Sequence, residues 1–404
     1  MQVENIRKQF PILSEKVNGY PYIYFDNGAT TQKPQIVLNT IQTIYEKENS
    51  NIHRGMHHFS NLLTEKFEHA RRTIQKFIHA KQPHEIIFTS GTTASINMIA
   101  NSFGNTFFQH GDEIIVGQFE HHANIVPWQM IAKQKGVTIK VIPGLPDGTL
   151  NITDFKNTIT EKTRFISVAH VSNATGVIHP IKEIIAIAHQ YHIPVLIDAA
   201  QSIQHIPLDV MDLDVDFLAF SGHKIYGPTG IGILYGKEQW LDRMLPYMGG
   251  GEMIDTVSFE KTTYNKLPFK FEAGTPNYVG GIALAKAIEF VQDIGINEIY
   301  QYEATLYKYA VEKIAQIENL KIIGDTPNKT SVISFVHSKI PSYDIGILLD
   351  KFGIAIRSGH HCAQPTMDFF GVQGTARVSL ALYNTKQEID SFVEHFKTIS
   401  QLFL

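Results

Sequence analysis

The chain of 404 residues contains a single cysteine, Cys362, which excludes an intrachain disulfide framework. A reducing, cytoplasmic compartment follows as the expectation. No apolar run approaches the roughly 18 residues of a membrane span. The first residues, Met1 to Lys8, are charged and lack the apolar centre of a signal peptide. Charge of one sign is also missing: 35 basic residues stand against 39 acidic ones, which gives no electrostatic reason to expect nucleic acid or an anionic membrane. No G-x-x-x-x-G-K-[ST] sequence is present, so a nucleoside triphosphate loop is not supported. There is no H-E-x-x-H spacing, and His121 and His122 are adjacent, too close in sequence to turn toward one ion; no metal is expected. Apolar content of 43% and charged content of 18% leave an ordinary globular chain, long enough for two or three domains.

What is present is a series of apolar strands that end in polar motifs. Phe217-Leu218-Ala219-Phe220 runs into Ser221-Gly222-His223-Lys224. A lysine at the end of a buried strand is either a surface residue of a Gly/Pro-rich loop or a desolvated amine able to attack an aldehyde. A second strand, Val195-Leu196-Ile197, ends at Asp198-Ala199-Ala200-Gln201. A buried aspartate one strand from a buried lysine suits pyridoxal phosphate, which needs a Schiff-base lysine and an acid beside its pyridine nitrogen. Strand Glu85–Phe88 leads through Thr89-Ser90-Gly91-Thr92-Thr93 into a helical pattern. Unpaired N–H groups and hydroxyls at such a helix start make an anion site, although Ser and Thr are also ordinary helix caps.

Strands near 86, 114, 166, 195, 217 and 231 alternate with helices between 94 and 190. That alternation predicts an α/β fold with a mostly parallel sheet covered on both faces and its site at the strand carboxyl ends. Residues 1–20 read as a short helix and a turn at Asn18-Gly19, followed by a strand and the small-residue turn Asp26-Asn27-Gly28-Ala29-Thr30. Helices are expected near 34–48 and 60–79. Residues 255–280 read as a crossing between domains, and a long helix ends near Gly295. Ile345, Leu348, Leu349 and Phe352 keep helical spacing before Gly353. The expected division is a large cofactor-binding domain, 21–265, and a smaller α+β domain made of 1–20 and 276–404.

Strand Ile354-Ala355-Ile356 leads into Arg357-Ser358-Gly359-His360-His361-Cys362-Ala363. A lone cysteine can be inert filler, but this one lies in a polar loop beside histidines and an arginine, and neighbouring positive charge favours the reactive thiolate. The lysine and aspartate motifs resemble fold-type I pyridoxal phosphate enzymes of the aminotransferase class V group. The R-x-G-H-H-C-A loop sharpens this to the SUF-type (group II) cysteine desulfurases and selenocysteine lyases. Glu120-His121-His122-Ala123-Asn124, Gly249-Gly250-Gly251-Glu252-Met253-Ile254 and Glu272-Ala273-Gly274-Thr275-Pro276 are similar to the same family, so the likeness spans nearly the whole chain.

The resemblance implies a seven-stranded-type sheet and conversion of L-cysteine to L-alanine with a persulfide on Cys362. It implies that Lys224 binds pyridoxal 5'-phosphate, that Asp198 pairs with the ring nitrogen, and that Gln201 contacts the ring oxygen. Thr92, Thr93, Ser221 and His223 would hold the phosphate, with Thr275 reaching in from a second subunit of a homodimer. His121 would stack on the ring and move protons, while Arg377 and Asn173 would bind the substrate carboxylate. His53 and Arg54 match the family near the subunit boundary. A sulfur-acceptor protein, SufE-like or SufU-like, and iron–sulfur cluster assembly are also implied, with weak activity in the acceptor's absence and selenocysteine lyase as a second activity. One departure is Ala94, where many relatives carry an acidic residue after the threonine pair. The alternative is another class V lyase or aminotransferase, kynureninase-like, which would need Lys224 and Asp198 but not Cys362. A non-catalytic protein that keeps the fold is the third reading.

Overall fold

The computed structural model describes residues 1–403. Seven strands form the main sheet: β1 (Ile86–Thr89), β2 (Glu113–Gly117), β3 (Thr138–Ile142), β4 (Thr163–Ala169), β5 (Val195–Asp198), β6 (Phe217–Ser221) and β7 (Gly232–Gly236). Their spatial order is β1-β7-β6-β5-β4-β2-β3. The pairs from β6 across to β3 are parallel, whereas β7 runs antiparallel to both β1 and β6. The sheet is therefore mixed, with the expected parallel body and one reversed strand. Strands β5, β6 and β7 are buried along their whole length, so they read as unbroken apolar runs covered on both faces. Strand β3 was not expected. It is the sheet edge and only partly covered, with Ile142 alone buried, and its Thr-Ile-Lys-Val-Ile sequence lacks the apolar run that marks its neighbours.

Helix Thr92–Phe107 buries Ile96, Ile99 and Phe103 against one face of the sheet, in a cluster with Phe165, Leu196 and Phe217. Helices His58–Phe77 and Tyr278–Ile294 pack together on the other side, where Phe67 and Ile288 join a cluster with Ile166, Ile197 and Phe220. Gly295, at φ 90°, separates Tyr278–Ile294 from the next helix, Ile296–Ile314. A four-stranded sheet follows: β8 (Leu320–Ile323), β9 (Val332–His337), β10 (Arg357–Gly359) and β11 (Thr375–Ser379), in the order β8-β9-β11-β10. Its separate core unites Phe335, Val378, Phe392 and Phe396 with Phe25 and Ile354. Strand Ile23–Tyr24 pairs with Ile354–Ala355, and the isolated bridge Asp26↔Ser379 continues that contact. The early segment 23–31 is thereby laid between the two sheets, over the carboxyl ends of β5 and β6.

Candidate active site

Strands β4, β5 and β6 end at the same level, and the residues that follow them line a cavity of about 190 Å³. Asp198 closes β5. Its Oδ1 accepts from Ala200 N–H at 2.9 Å, and burial pushes its pKa up to about 6 against the pull of Lys224. Strand β6 turns through Gly222–Lys224, and a Cβ on Gly222 would meet Ile231 at 2.8 Å, so no side chain fits there. Lys224 Nζ donates to the Gly28 carbonyl, to which Gln201 Nε2 also donates at 2.8 Å. Burial and the nearby Arg377 push the Lys224 pKa down to about 7, with Asp198 and Asp26 acting the other way. An amine with that value is available as a nucleophile near neutral pH.

One end of the cavity is an anion cup. Gly91, at φ +150°, brings β1 into helix Thr92–Phe107, and a Cβ on Gly232 would strike Gly91 backbone at 2.4 Å. Thr92 N–H and Oγ1 both meet Ser221 Oγ at 2.8 Å. Thr93 and His223 complete the rim, and burial and then Lys224 push the His223 pKa down to about 4. This cup joins a helix N-terminus to three hydroxyl groups.

His121 caps the turn His122–Asn124, its Nδ1 accepting from Ala123 N–H at 3.0 Å, which leaves the proton of the neutral ring on Nε2. Burial and Lys224 push its pKa down to about 4. Glu120, fully buried, anchors this turn: it accepts from Asn124 Nδ2 at 2.7 Å and from Ala169 N–H at 2.9 Å. Burial, and then Asp198, push its carboxyl up to about 8, and the hydrogen bonds oppose them.

The opposite wall comes from the smaller sheet. Arg357 on β10 and Arg377 on β11 are register partners, so both guanidinium groups point to one face and both line the cavity. Arg377 is buried, donates to the Asn173 carbonyl at 2.8 Å and to Asp26 Oδ1 at 3.1 Å, and keeps Nε unpartnered. Two cations facing one carboxylate leave positive charge over, which suits a carboxylate ligand. Beyond β10 the chain crosses back over the large sheet. His361 and Cys362 both adopt left-handed backbone, with φ +54° and +55°. His361 Nε2 meets Thr375 Oγ1 at 2.8 Å, and its carbonyl accepts from Asn173 Nδ2 at 2.6 Å. The Cys362 carbonyl accepts from His122 N–H at 2.7 Å. These bonds hold the half-exposed Cys362 on the cavity wall.

Eleven of the residues expected at the site therefore line this cavity together: Thr92, Thr93, His121, Asn173, Asp198, Gln201, Ser221, His223, Lys224, Cys362 and Arg377. Thr275 does not. It is exposed and outside the cavity of its own chain. His53 bonds Glu68 at 3.2 Å and Arg54 pairs with Glu252 at 2.6 Å, both away from the cavity lining. Ala94 lies in the first turn of the cup helix and is not itself part of the lining. Sequence reasoning missed Asp26, Gly28 and Glu120, and took Arg357 only as a charge near the cysteine. The signal for Arg357 was its place on a strand that pairs with Arg377, which requires the register. Among the described residues no cluster of His, Cys, Asp or Glu could hold a metal.

The cavity fits pyridoxal phosphate. Buried Gln201 Oε1, Asn173 Oδ1 and Arg377 Nε have no partner, and amine, carboxylate and anion cup are spaced around one small volume. Fold and site together define a pyridoxal phosphate enzyme of the α/β, fold-type I class. The chain belongs to the aminotransferase class-V family, whose match covers residues 23–392. Within that family it is similar to a cysteine desulfurase of Wigglesworthia glossinidia brevipalpis, at 50% identity over 97% of this chain and 96% of the relative. A probable cysteine desulfurase of Halalkalibacterium halodurans is 45% identical over 100% and 99%. Among solved structures, a cysteine desulfurase of Escherichia coli superposes with a TM-score of 0.93 at 37% identity, covering 100% of both chains.

Proposed function

We propose that this protein is a pyridoxal phosphate-dependent cysteine desulfurase that moves the sulfur of L-cysteine onto Cys362 and releases L-alanine. The observation that carries this reading is a thiol, the only one in the chain, on the wall of the cavity that also holds Lys224, Asp198 and two arginines. Lys224 would hold the cofactor's aldehyde, Asp198 its ring nitrogen, Gln201 its ring oxygen, and Thr92, Thr93, Ser221 and His223 its phosphate. When bound, pyridoxal phosphate withdraws electrons from the substrate's α and β carbons.

Arg377 and Arg357, with Asn173 beside them, orient the substrate by its carboxylate. Lys224, freed as an amine of depressed pKa, takes the α proton. Neutral His121, with its proton on Nε2, is placed to pass a proton at the substrate thiol and ring face. The Cys362 thiolate attacks the substrate sulfur. An S–S bond forms, the Cβ–S bond breaks with its electron pair left on Cβ, and protonation of Cβ followed by return of a proton from Lys224 to Cα completes alanine. Cys362 carries the persulfide, and a second thiol must remove it. A half-exposed residue on a loop between two sheets is suited to that delivery.

Sulfur supply to iron–sulfur cluster assembly is the general role this activity serves. A SUF-type assignment, a SufE-like or SufU-like acceptor and selenocysteine cleavage as a second activity are proposed on the R-x-G-H-H-C-A loop. A homodimer in which Thr275 completes the partner's phosphate cup is proposed from its exposure and from the exposed apolar Met56, Val257 and Phe259. Two separate cores support a large and a smaller unit; the proposed bounds, 21–265 against 1–20 with 276–404, depart from those cores where Ile6, Phe10, Leu13 and helix Tyr278–Ile294 pack in the large one and Ile23 and Phe25 in the small one. No helix of the described residues is long and apolar enough to cross a membrane; the single free thiol supports a reducing cytoplasm.

The test is release of alanine and sulfide from L-cysteine by wild type and Cys362→Ala, with visible spectra of both. Yellow proteins with turnover only in wild type uphold the reading. Equal turnover in the variant replaces it with a lyase that does not use the thiol.

A further inference from the structure

The segment Asp26–Lys33 touches both sheets, and sequence reasoning gave it no task beyond a turn. Four donors from this segment converge on one peptide oxygen, the carbonyl of His223, which forms the amide that precedes Lys224. Thr31 N–H reaches it at 3.0 Å, Thr30 Oγ1 and Thr31 Oγ1 each at 3.1 Å, and Lys33 Nζ at 3.2 Å. The two hydroxyls can serve as donors because each has a donor of its own. Thr31 Oγ1 accepts from Tyr226 N–H at 2.8 Å, and Thr30 Oγ1 accepts from Lys33 Nζ at 3.3 Å. Tyr226 itself is held at φ +60°, a conformation disfavoured for a bulky residue.

Lys33 is costly here. Its ammonium forms no ion pair among the described residues; its partners are oxygens of this clasp, including the Thr31 carbonyl. Burial lowers its pKa to about 7. A methionine of similar length would fill the space without that desolvation cost. Lys33 is absent from the cavity wall, so it meets neither substrate nor cofactor.

We propose that Lys33 is a positioning residue for Lys224: with Thr30 and Thr31 it fixes the His223 peptide, and so the direction in which the Lys224 side chain enters the cavity. This rests on the desulfurase reading for its substrate, but its geometry concerns only the lysine and the group bound to it.

The experiment compares holoenzyme of wild type, Lys33→Met, Lys33→Arg and Thr30→Val by kinetics with L-cysteine, visible circular dichroism of the bound cofactor, and thermal melting. In Lys33→Met, kcat should fall about 10-fold, since misplacement of a reacting group acts on the chemical step, while KM stays within about 3-fold because the arginines are untouched. The cofactor's dichroic band should weaken, and melting should hold or rise. Thr30→Val should repeat the pattern more mildly, and Lys33→Arg should recover part of it. Unchanged kcat and dichroism in both Lys33→Met and Thr30→Val overturn the proposal, and so does a fall in melting temperature alone. A wild type that binds cofactor but leaves cysteine intact would defeat the desulfurase reading, and the dichroic comparison would still decide the role of Lys33.

Discussion

The turn that carries Lys224 leaves the interior of the seven-stranded sheet, and the loop that carries Cys362 leaves the edge of the four-stranded one. At the first, backbone bonds to Ile231 and Gly222 and the clasp on His223 settle the geometry before any ligand arrives. At the second, two consecutive residues sit in left-handed backbone and are held by Asn173 Nδ2 and His122 N–H from loops of the large sheet and by Thr375 Oγ1 of their own sheet. Residues in such backbone persist only while their surroundings over-determine them. The difference matches the two tasks proposed for these residues. An amine that must return to one aldehyde gains from rigidity, whereas a thiol that collects sulfur inside and gives it up outside gains from a loop that can leave.

Substitution of the two reactive residues should break this comparison most sharply. Lys224→Ala should lose at least about 10⁴-fold in cysteine turnover, the scale on which removing a principal reacting group acts, together with the cofactor's lysine-bound absorbance. Cys362→Ala should lose sulfide release to a similar degree and keep that absorbance. If both variants retain the absorbance, the lysine is not the cofactor's anchor.

A second effect falls on the scaffold. Arg71 is buried and bidentate to Glu272 at 2.7 and 2.9 Å, with the Ile86 carbonyl also at 2.7 Å, and Glu272 accepts from Phe88 N–H at 2.8 Å. This pair ties the 269–272 turn to β1. Arg71→Met leaves a carboxylate buried without its partner and should cost about 3–5 kcal/mol in urea unfolding. A loss below about 1 kcal/mol would mean that water or another donor takes the place of Arg71 at Glu272.

The third concerns pH. With a pKa lowered to about 7, Lys224 is an ammonium below that value and a free amine above it. Cofactor uptake by cofactor-free protein should rise with pH up to about 7 and then level, rather than climb toward the ordinary lysine value of about 10.4. Arg377→Met, which removes the second of the causes that depress this pKa, should move the midpoint to higher pH. An uptake rate that still climbs above pH 9 in wild type would place Lys224 in water.

Much of this was legible in the sequence, and the limits follow from physics. Strands that end in Asp198 and Lys224 are short apolar runs with polar stops, so local pattern located them. The Asp26–Arg377 contact joins residues from opposite ends of the chain, and the pairing of Arg357 with Arg377 depends on strand register; neither leaves a local trace. Glu120 adjoins His121, yet nothing in its neighbours says that its carboxyl turns inward to Ala169 rather than out to solvent. Strand β3 left no apolar signal because a partly covered edge needs no apolar run.

The smallest effect tests the loop. His361→Gly removes a Cβ from left-handed backbone, a gain of about 1 kcal/mol, but it empties the space of a buried imidazole and leaves the buried Thr375 hydroxyl without its partner, a loss of about 2–3 kcal/mol. Global stability should therefore fall by about 1–2 kcal/mol. The loop, however, loses the side chain that pins it to β11 while its backbone gains freedom. Reaction of Cys362 with an aromatic disulfide reagent should quicken by several-fold, with the cofactor spectrum unaltered because the Lys224 turn is not involved. A thiol that reacts no faster would mean that Asn173 and His122 alone hold the loop, and the contrast between a fixed lysine and a poised cysteine would narrow to exposure.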